Sequence, residues 1–424
     1  MPSPEPFENA PCSQALNTLS AFLPILLTIT LSIALVQPAR AQTYQVLYNF
    51  TNGSDGGFPR AGLTIDRTGI LYGTTSQGGA QNGGTVFKMA LHNSSWIFSP
   101  LYSFAGGSDG FQPVARVIIG PNGSLYGTTS AGGGSRNCGC CGCGTVFNLQ
   151  PNPTAAGAAL APWRETVLHR FTGGPRDGQG PQAEVMFDPA GSLYSTTFFG
   201  GSGGGTVFKM TPGSGGWTES TLYNFDSRQG GPYSPNAGVV LDNAGNLYGT
   251  TVSGGENRSG VVYRLSPSSP GWIENTIFAF GNSDLGAEPY AGVIFDSAGN
   301  LYGATTSEVN NFSGAVFELT PSNGNWIPST VYKFSGDMNP YCGNGPYASL
   351  FMDTAGNLYG TNCGDSSVFK LTPTSGGWAY TLLHSFDWDD QPLGGVVMDA
   401  HGNLYGTTEL GGTHNAGVVW EITP

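Results

Sequence analysis

Charged side chains are scarce in this sequence of 424 residues, where Asp, Glu, Lys and Arg together make up 10%. The 15 Lys and Arg residues are outnumbered by 28 acidic residues, which leaves a net charge of −13. Nucleic acids and anionic membrane surfaces are bound by clustered cations. This charge balance therefore excludes nucleic-acid binding and disfavours binding to anionic membranes. Glycine (67 residues) and aromatic side chains (12%) are abundant instead, a composition typical of short strands joined by tight turns.

Long apolar runs are also rare, and the one that is long enough to direct export lies at residues 21–36. Ala39 and Ala41 offer the small residues that a signal peptidase reads, which predicts a signal peptide over 1–41 and cleavage before Gln42. The leader departs from the usual pattern because its charges are Glu5 and Glu8 rather than basic residues. An uncleaved N-terminal anchor is the alternative. Both interpretations place residues 42–424 outside the cytoplasm, in a secreted or cell-envelope protein.

One unit, PNAGVVLDNAGNLYGTT at residues 235–251, organises the rest of the chain. Its pattern predicts two short strands joined by a tight turn at 243–246. Seven copies are present, and in each copy the leading proline and the leucine of the LYGTT motif are 12 residues apart. The prolines are Pro59, Pro113, Pro181, Pro235, Pro289, Pro346 and Pro392, and the leucines are Leu71, Leu125, Leu193, Leu247, Leu301, Leu358 and Leu404. A repeat of this kind determines the fold class before any single residue is considered.

Each repeat contains two further strand-like segments that are rich in β-branched and aromatic residues. One runs, in six of its copies, from a tryptophan to a phenylalanine 8 residues later, as in WTESTLYNF at 217–225; the first copy, at 44–50, lacks the tryptophan. The other resembles GTVFKMTP at 205–212. Seven repeats of four strands predict an all-β fold, a seven-bladed β-propeller. A solenoid is the rival, but solenoid repeats are shorter and carry fewer strands. We expect the proline-led strand, which has small residues such as Ala237 and Gly238, to be innermost, and the Trp-to-Phe strand to be outermost.

The seventh repeat supplies three strands up to Pro424, whereas the strand-like segment YQVLYNF at 44–50 precedes the first complete repeat. We predict that this N-terminal strand completes the seventh blade and closes the ring, because closure removes an exposed sheet edge. The predicted propeller domain spans 42–424. In this arrangement the loops after the phenylalanine and after LYGTT share one face. Their variable lengths are expected of loops that carry function on a fixed scaffold.

Aspartates recur in the loops of this face, often within GSDG, and are the candidate ligand-binding residues: Asp55, Asp109, Asp177, Asp284 and Asp337. Carboxylates around a ring could bind calcium through oxygen ligands. The favoured interpretation is structural, because Asp before Gly builds turns and no loop has the alternating ligand spacing of a calcium loop. A second set, seven residues after the proline, is placed to accept hydrogen bonds from turn amides: Asp66, Asp188, Asp242, Asp296, Asp353 and Asp399. We therefore predict no bound metal or other cofactor, with calcium as the alternative.

The cysteines are the most unusual local feature. Cys12 falls in the predicted signal peptide, and four others form CGCCGC in one loop of the second repeat: Cys138, Cys140, Cys141 and Cys143. In an exported protein, two local disulfides are favoured over a zinc or iron–sulfur site or free thiols, and the pairing stays open. Cys342 and Cys363 lie in the two same-face loops of the sixth repeat, and we predict a disulfide between them.

Histidines are few, and none indicates catalysis. His169 and His384 replace a tyrosine of the outer strand, so we predict that they are surface residues, whereas His414 lies on the loop face. One histidine without a partner at a recognisable spacing is weak support for an active site. No nucleophile elbow in a strand-to-helix context and no lysine-terminated phosphate loop is present. We predict no catalytic residues.

The repeat resembles a known family. The segment LYNFTNGSDGGFPRAGLTIDRTGILYGTTSQGGAQNGGTVFKMA at 47–90 is similar to the GloVer tandem repeat, a bacterial repeat found in exported proteins, and the resemblance covers residues 42–424. The proline–AGV–D–AGNLYG core is also similar to NHL-type propeller repeats. The resemblance implies export and surface display, with no established chemistry.

These observations favour an exported, monomeric binding module whose partner is a glycan or an extracellular protein. A propeller-type enzyme, such as a polysaccharide lyase or lactonase, and a passive spacer are the alternatives. An enzyme would need a cluster of His, Glu or Arg at the hub, where the proline-led strands supply Arg60, Arg116 and Glu184.

Overall fold

The computed structural model describes residues 42–151, 163–281, 284–307, 314–335 and 343–423. These residues form seven four-stranded antiparallel sheets, which confirms the predicted seven-bladed β-propeller. The predicted signal peptide lies outside the described residues. Within the described ranges, no helix has both the length and the apolar character needed to cross a membrane.

Each blade has the predicted strand order, with the proline-led strand at the centre and the Trp-to-Phe strand at the rim. The first strands of the blades are Thr64–Ile65, Ile118–Ile119, Met186–Phe187, Val240–Leu241, Ile294–Phe295, Phe351–Met352 and Val397–Met398. The second strands are Leu71–Thr75, Leu125–Thr129, Leu193–Thr197, Leu247–Thr251, Leu301–Thr305, Leu358–Asn362 and Leu404–Thr408. The third strands are Thr85–His92, Thr145–Gln150, Thr206–Gly213, Val261–Ser268, Ala315–Ser322, Ser367–Thr374 and Val418–Thr423. The outermost strands of blades one to six are Ser95–Ser103, Arg164–Arg170, Gly216–Asn224, Gly271–Ala279, Asn325–Lys333 and Gly377–Ser385.

Short additional elements lie in the loops. Gly110–Phe111 pairs with Ala131–Gly132, and Gly178–Gln179 pairs with Phe199–Gly200. Among the described residues, Gly139–Cys141 and Ser227–Gln229 form single-turn 3-10 helices.

The N-terminal strand closes the ring, as predicted. Thr43–Asn49 pairs antiparallel with Val418–Thr423, and Thr43 lies opposite Thr423 at one end of the ladder. The seventh blade therefore consists of strands from both ends of the described chain, so that its outer strand is hydrogen-bonded to the blade rather than left as a free segment.

Neighbouring blades are joined by a repeated pair of aromatic residues. The phenylalanine that follows each outer strand packs against the buried aromatic residue of the third strand of the next blade, with ring centroids 5.1 to 5.7 Å apart. The pairs are Phe50–Phe87, Phe104–Phe147, Phe171–Phe208, Phe225–Tyr263, Phe280–Phe317, Phe334–Phe369 and Phe386–Trp420. Such pairs contribute about 0.5–1.5 kcal/mol each beyond the area that they bury. The apolar core is thus distributed around the ring between blades.

Small residues occupy the hub because the inner segments approach one another closely. A Cβ atom on Gly62 of the first blade would lie 2.5 Å from the carbonyl oxygen of Gly395 in the seventh. Any side chain at this position would push the two blades apart. The close approach explains why the sequence has glycine here. The side chains that reach the centre of the ring are therefore the few larger ones of the inner segments.

Candidate ligand-binding site at the hub

A cavity of about 460 Å³ lies at the centre of the propeller and is lined by the inner segments of all seven blades. We call it the hub cavity. Most of its wall is small, because the residue two after each proline is alanine or glycine: Ala61, Ala115, Ala183, Ala237, Ala291, Ala348 and Gly394. The volume falls within the range of small-molecule sites in proteins, about 300–1,000 Å³.

The residue directly after each proline also lines the cavity, and this position differs from blade to blade. We call these seven residues the hub ring: Arg60, Val114, Gln182, Asn236, Tyr290, Tyr347 and Leu393. They begin the inner segments, on the side of the loops that precede the prolines. A position that carries cationic, amide, aromatic and aliphatic side chains within an otherwise strict repeat is not required by the scaffold. The variation places the distinctive chemistry of the cavity at this end.

Four residues from one side of the hub form a polar and aromatic group, which we call the hub cluster: Arg60, Tyr290, Tyr347 and Glu409. The tyrosine rings are stacked with centroids 4.5 Å apart and an interplanar angle of 21°. Arg60 Nε lies 3.0 Å from Glu409 Oε1. Glu409 directly follows the LYGTT motif of the seventh blade. The equivalent residues of the first and second blades are Ser76 and Ser130, whose hydroxyls donate hydrogen bonds to backbone carbonyls.

The electrostatics of the hub cluster connect its members. Burial raises the pKa of Glu409, and the guanidinium of Arg60 opposes that rise. Burial also raises the pKa of Tyr347, with the neighbouring Tyr290 acting in the same direction and Arg60 against it. The cluster therefore presents the paired side chains of Glu409 and Arg60, together with two phenols, beside a cavity of ligand size.

A second ion pair involves residues that lie two positions after the hub-ring residues in their inner segments. Arg116 Nη2 is 3.3 Å from Glu184 Oε1, and the two side chains are 42% and 33% exposed. An ion pair this accessible contributes at most about 1 kcal/mol to stability. Its two residues, from the second and third blades, add charged groups to the cavity wall. The sequence indicated Arg60, Arg116 and Glu184 as hub residues but gave no reason for Arg116 and Glu184 to meet.

The four loop aspartates that the structure describes do not line the hub cavity, and three of them organise their own loops. Asp55, Asp109 and Asp177 each accept a hydrogen bond from a backbone amide at the start of the loop, at 2.8 to 2.9 Å. Each also contacts a residue of the preceding outer strand, in order Tyr48, Tyr102 and His169. Asp284 is exposed, with one carboxylate oxygen 3.5 Å from Lys333 Nζ, and Asp337 lies outside the described residues. The first three have the geometry of turn-building aspartates.

The second set of aspartates holds the hairpin turns. Asp242 Oδ1 accepts hydrogen bonds from the amides of Ala244 and Asn246, and Oδ2 accepts one from the Tyr248 hydroxyl at 3.1 Å. Burial raises the pKa of Asp242, but these hydrogen bonds outweigh it and the net pKa lies below the usual value. The carboxylate is therefore held ionised as a turn acceptor.

The cysteine loop contains one disulfide among the described side chains, between Cys138 and Cys143, whose Cα atoms are 5.2 Å apart. Disulfide bonding is thus present in this loop, and Cys141 is exposed. The side chain of Cys140 lies outside the described part of the chain. Cys363 is buried and disulfide-bonded, whereas Cys342 lies outside the described residues, so the pairing of these two stays a prediction.

The prediction that His169 and His384 are surface residues is wrong. Both are partly buried, because the outer strand of the next blade covers them. His384 stacks on Tyr44 of the N-terminal strand with centroids 3.8 Å apart, and His169 Nε2 lies 3.2 Å from Asp177 Oδ1. His414 is exposed. The outer strands of neighbouring blades therefore enclose side chains that an isolated strand would leave in solvent.

Sequence reasoning missed Tyr290, Tyr347 and Glu409. A signal was available, because a comparison of the repeats position by position shows that the residue after the proline varies while the next one is always Ala or Gly. Only the closed ring shows that these residues share one cavity.

A family model, the Gloeobacter/Verrucomicrobia repeat, matches residues 35–156, 136–366 and 276–424. No protein with a curated description matches the sequence.

Solved structures share the fold at low identity. Virginiamycin B lyase from Staphylococcus aureus is 14% identical with a TM-score of 0.53, and the match covers 90% of this chain and 99% of that one. A fungal alcohol oxidase in complex with copper is 11% identical with a TM-score of 0.57, covering 91% and 77%. The extracellular domain of a protein described as a hybrid two component system from B. thetaiotaomicron is 11% identical with a TM-score of 0.53, covering 89% and 39%. Because one fold carries many functions, these likenesses establish the propeller alone.

Proposed function

Because the chain belongs to the Gloeobacter/Verrucomicrobia repeat family and its repeats enclose a cavity with one chemically varied end, we propose that it is an exported binding protein whose hub ring takes a saccharide. The observation that carries the proposal is the hub cluster, in which two tyrosines adjoin an Arg–Glu pair 3.0 Å apart. Aromatic rings beside convergent hydrogen-bonding groups suit a ligand that has both apolar C–H surfaces and hydroxyls.

The rest of the hub ring completes the donor and acceptor set. Gln182 and Asn236 each carry an amide, which supplies donors and an acceptor. Asn236 Nδ2 donates to the carbonyl of Tyr290 at 3.1 Å, so this amide is oriented by the neighbouring blade. Leu393 is buried against Tyr347 and supports the aromatic side of the ring. The ring thus has an aromatic side and a polar side, as expected of a saccharide site.

Export is part of the proposal. The disulfide between Cys138 and Cys143 is of a kind that persists in oxidising compartments, and the sequence predicts a signal peptide. The extracellular domain from B. thetaiotaomicron has the same fold.

Cleavage of the bound saccharide is the second candidate. Burial raises the pKa of Glu409, and a carboxyl group with a raised pKa at a cavity is a typical general acid or base. Any saccharide that binds should therefore also be assayed for cleavage or elimination.

The test is a binding screen of the full chain against a saccharide panel, read as a thermal midpoint and followed by calorimetry. A ligand at 100 times its dissociation constant stabilises the native state by about 2.7 kcal/mol. Two variants use residues that the repeat itself has at the same position: Tyr347→Leu, as in Leu393, and Arg60→Gln, as in Gln182. Both should weaken binding about tenfold or more.

The control is Ile273→Thr, at an outer-strand position that is 53% exposed and that carries Thr218 in the third blade. This variant should bind like the wild-type chain. A panel without any stabilising saccharide, or a saccharide that both hub variants bind with unchanged affinity, would contradict the proposal.

A further inference from the structure

Three ligand-type side chains meet at the rim, between the second and third blades. His169 lies on the outer strand Arg164–Arg170, Asp177 lies in the loop that follows, and Glu219 lies on the outer strand Gly216–Asn224. One side-chain atom of each, an imidazole nitrogen or a carboxylate oxygen, lies within 4.8 Å of the others, and all three residues are partly buried. We call them the rim triad. They lie outside the hub cavity.

The repeat shows what is special about this joint. At the preceding joint, Tyr102 occupies the position of His169 and donates its hydroxyl to Asp109 at 3.1 Å. The N-terminal strand repeats the arrangement, with Tyr48 and Asp55. A tyrosine there fulfils the structural need for a hydrogen bond to the aspartate. A neutral histidine also has a ring nitrogen with a lone pair that can bind a metal ion, and a neutral tyrosine has no such nitrogen.

Glu219 supplies the third ligand and has its own support. Burial raises the pKa of Glu219, the proximity of His169 and a hydrogen bond from Thr221 lower it, and Asp177 raises it. Two partly buried carboxyl groups thus face one imidazole, an arrangement that a cation would stabilise.

Hydrogen bonds from neighbouring groups orient both carboxylates of the triad. Asp177 Oδ2 is held by the amide and the hydroxyl of Thr172, at 2.8 and 2.7 Å. Its Oδ1 accepts a hydrogen bond from the amide of Gly178 at 2.8 Å and faces His169 Nε2 at 3.2 Å. Glu219 Oε1 accepts a hydrogen bond from the Thr221 hydroxyl at 3.0 Å. Metal-binding carboxylates are oriented by outer hydrogen bonds of this type.

We propose that His169, Asp177 and Glu219 form a site for a divalent transition metal ion, with Zn²⁺ as the best fit. Zn²⁺ takes imidazole nitrogen at about 2.0–2.1 Å and carboxylate oxygen at about 2.0–2.2 Å, in a set of three protein ligands with one open position. The ion replaces the contact between His169 Nε2 and Asp177 Oδ1 and joins the second blade to the third. The site does not depend on saccharide binding at the hub.

The experiment is a calorimetric titration of the full chain with Zn²⁺ after removal of metal with EDTA. The matched variant is His169→Tyr, because tyrosine at this position makes the hydrogen bond to the aspartate at two other joints, Tyr102 to Asp109 and Tyr48 to Asp55. We expect one rim site per wild-type chain and a loss of affinity of at least about 100-fold in H169Y, since loss of even an outer partner of a metal ligand costs 10–100-fold. Glu219→Gln should weaken binding in the same way.

Two comparisons separate the rim triad from other causes. H169Y retains CGCCGC, so Zn²⁺ held by cysteine thiols would bind equally to both proteins. H169Y and wild type should also melt at the same temperature in EDTA, and only wild type should be stabilised by Zn²⁺. Two results would overturn the proposal. One is Zn²⁺ binding by both H169Y and E219Q with the affinity of the wild-type chain, and the other is no Zn²⁺ binding by the wild-type chain at about 100 μM Zn²⁺.

Discussion

Thr407 of the seventh blade donates a hydrogen bond from its hydroxyl to the backbone carbonyl of Ala61 in the first blade, at 2.8 Å across 346 positions of sequence. The first threonine of the LYGTT motif makes the same bond to the next blade at five other joints, at 2.8 to 3.0 Å. These bonds are Thr74–Ala115, Thr128–Ala183, Thr196–Ala237, Thr250–Ala291 and Thr361–Gly394. The motif therefore joins blades as well as forming a strand.

The fifth blade has alanine at this position, Ala304, which is fully buried. Ala304→Thr should restore the missing bond, with the carbonyl of Ala348 as the equivalent acceptor, and raise the free energy of unfolding by about 1 kcal/mol. Chemical denaturation measures the change. The opposite variant, Thr250→Val, retains the volume but leaves the carbonyl of Ala291 without its donor, and should cost about 1–3 kcal/mol. A stable T250V would show that the bond does not hold the joint together.

Glu165 should make stability depend on pH. Burial raises its pKa to about 7, with Asp109 adding to the rise and Arg170 opposing it, and its buried Oε1 has no hydrogen-bond partner among the described residues. Between pH 4.5 and about 7, Glu165 therefore retains its proton in the folded chain, whereas in the unfolded chain, where its pKa is 4.5, it has lost the proton. The contribution of neutral Glu165 to the free energy of unfolding is fully present below pH 4.5 and is lost as the pH rises through about 7.

Glu165→Gln removes this titration. The variant should melt at a higher temperature than wild type at pH 8 and at a similar temperature at pH 4, as measured by calorimetry at both values. Glu256→Gln, in an exposed loop, removes the same charge and is the control for net charge. Equal gains at pH 8 in both variants would assign the effect to overall charge instead of to the buried carboxyl.

The predicted disulfide between Cys342 and Cys363 can be tested by cleavage of the unreduced chain before aspartate residues. Cuts before Asp337, Asp353 and Asp365 place the two cysteines on separate peptides, 337–352 and 353–364. We expect one linked species in the mass spectrum, and two separate peptides after reduction. Recovery of Cys363 linked to a peptide from the CGCCGC loop would show that the pairing is different.

Much of the fold could be predicted because it depends on local patterns that recur. The constant distance from the proline to LYGTT, with a turn at Asp242–Asn246 in the fourth copy, specifies the same hairpin seven times. The strand count also predicted that the segment 44–50 completes the last blade, where the structure has the strand Thr43–Asn49. The turn aspartates were predicted for the same reason, since Asp242 bonds to amides within four residues of itself.

The candidate sites could not be predicted in this way, because their members come from different blades. His169 was expected to lie on the surface, since an isolated outer strand does not show that Glu219 of the next blade covers it. Arg60 and Glu409 lie near opposite ends of the propeller sequence, and no spacing rule connects them.

The sequence by itself determined the number of blades, the order of strands within a blade and the closure of the ring, because alternation, turn chemistry and strand count act over short distances. The tertiary structure decided which side chains share the hub cavity and the rim joints. Closure of the ring brings the first and last blades into contact, so that Arg60 lies 3.0 Å from Glu409. The varied side chains of the hub ring acquire a common cavity only when all seven inner segments surround one axis.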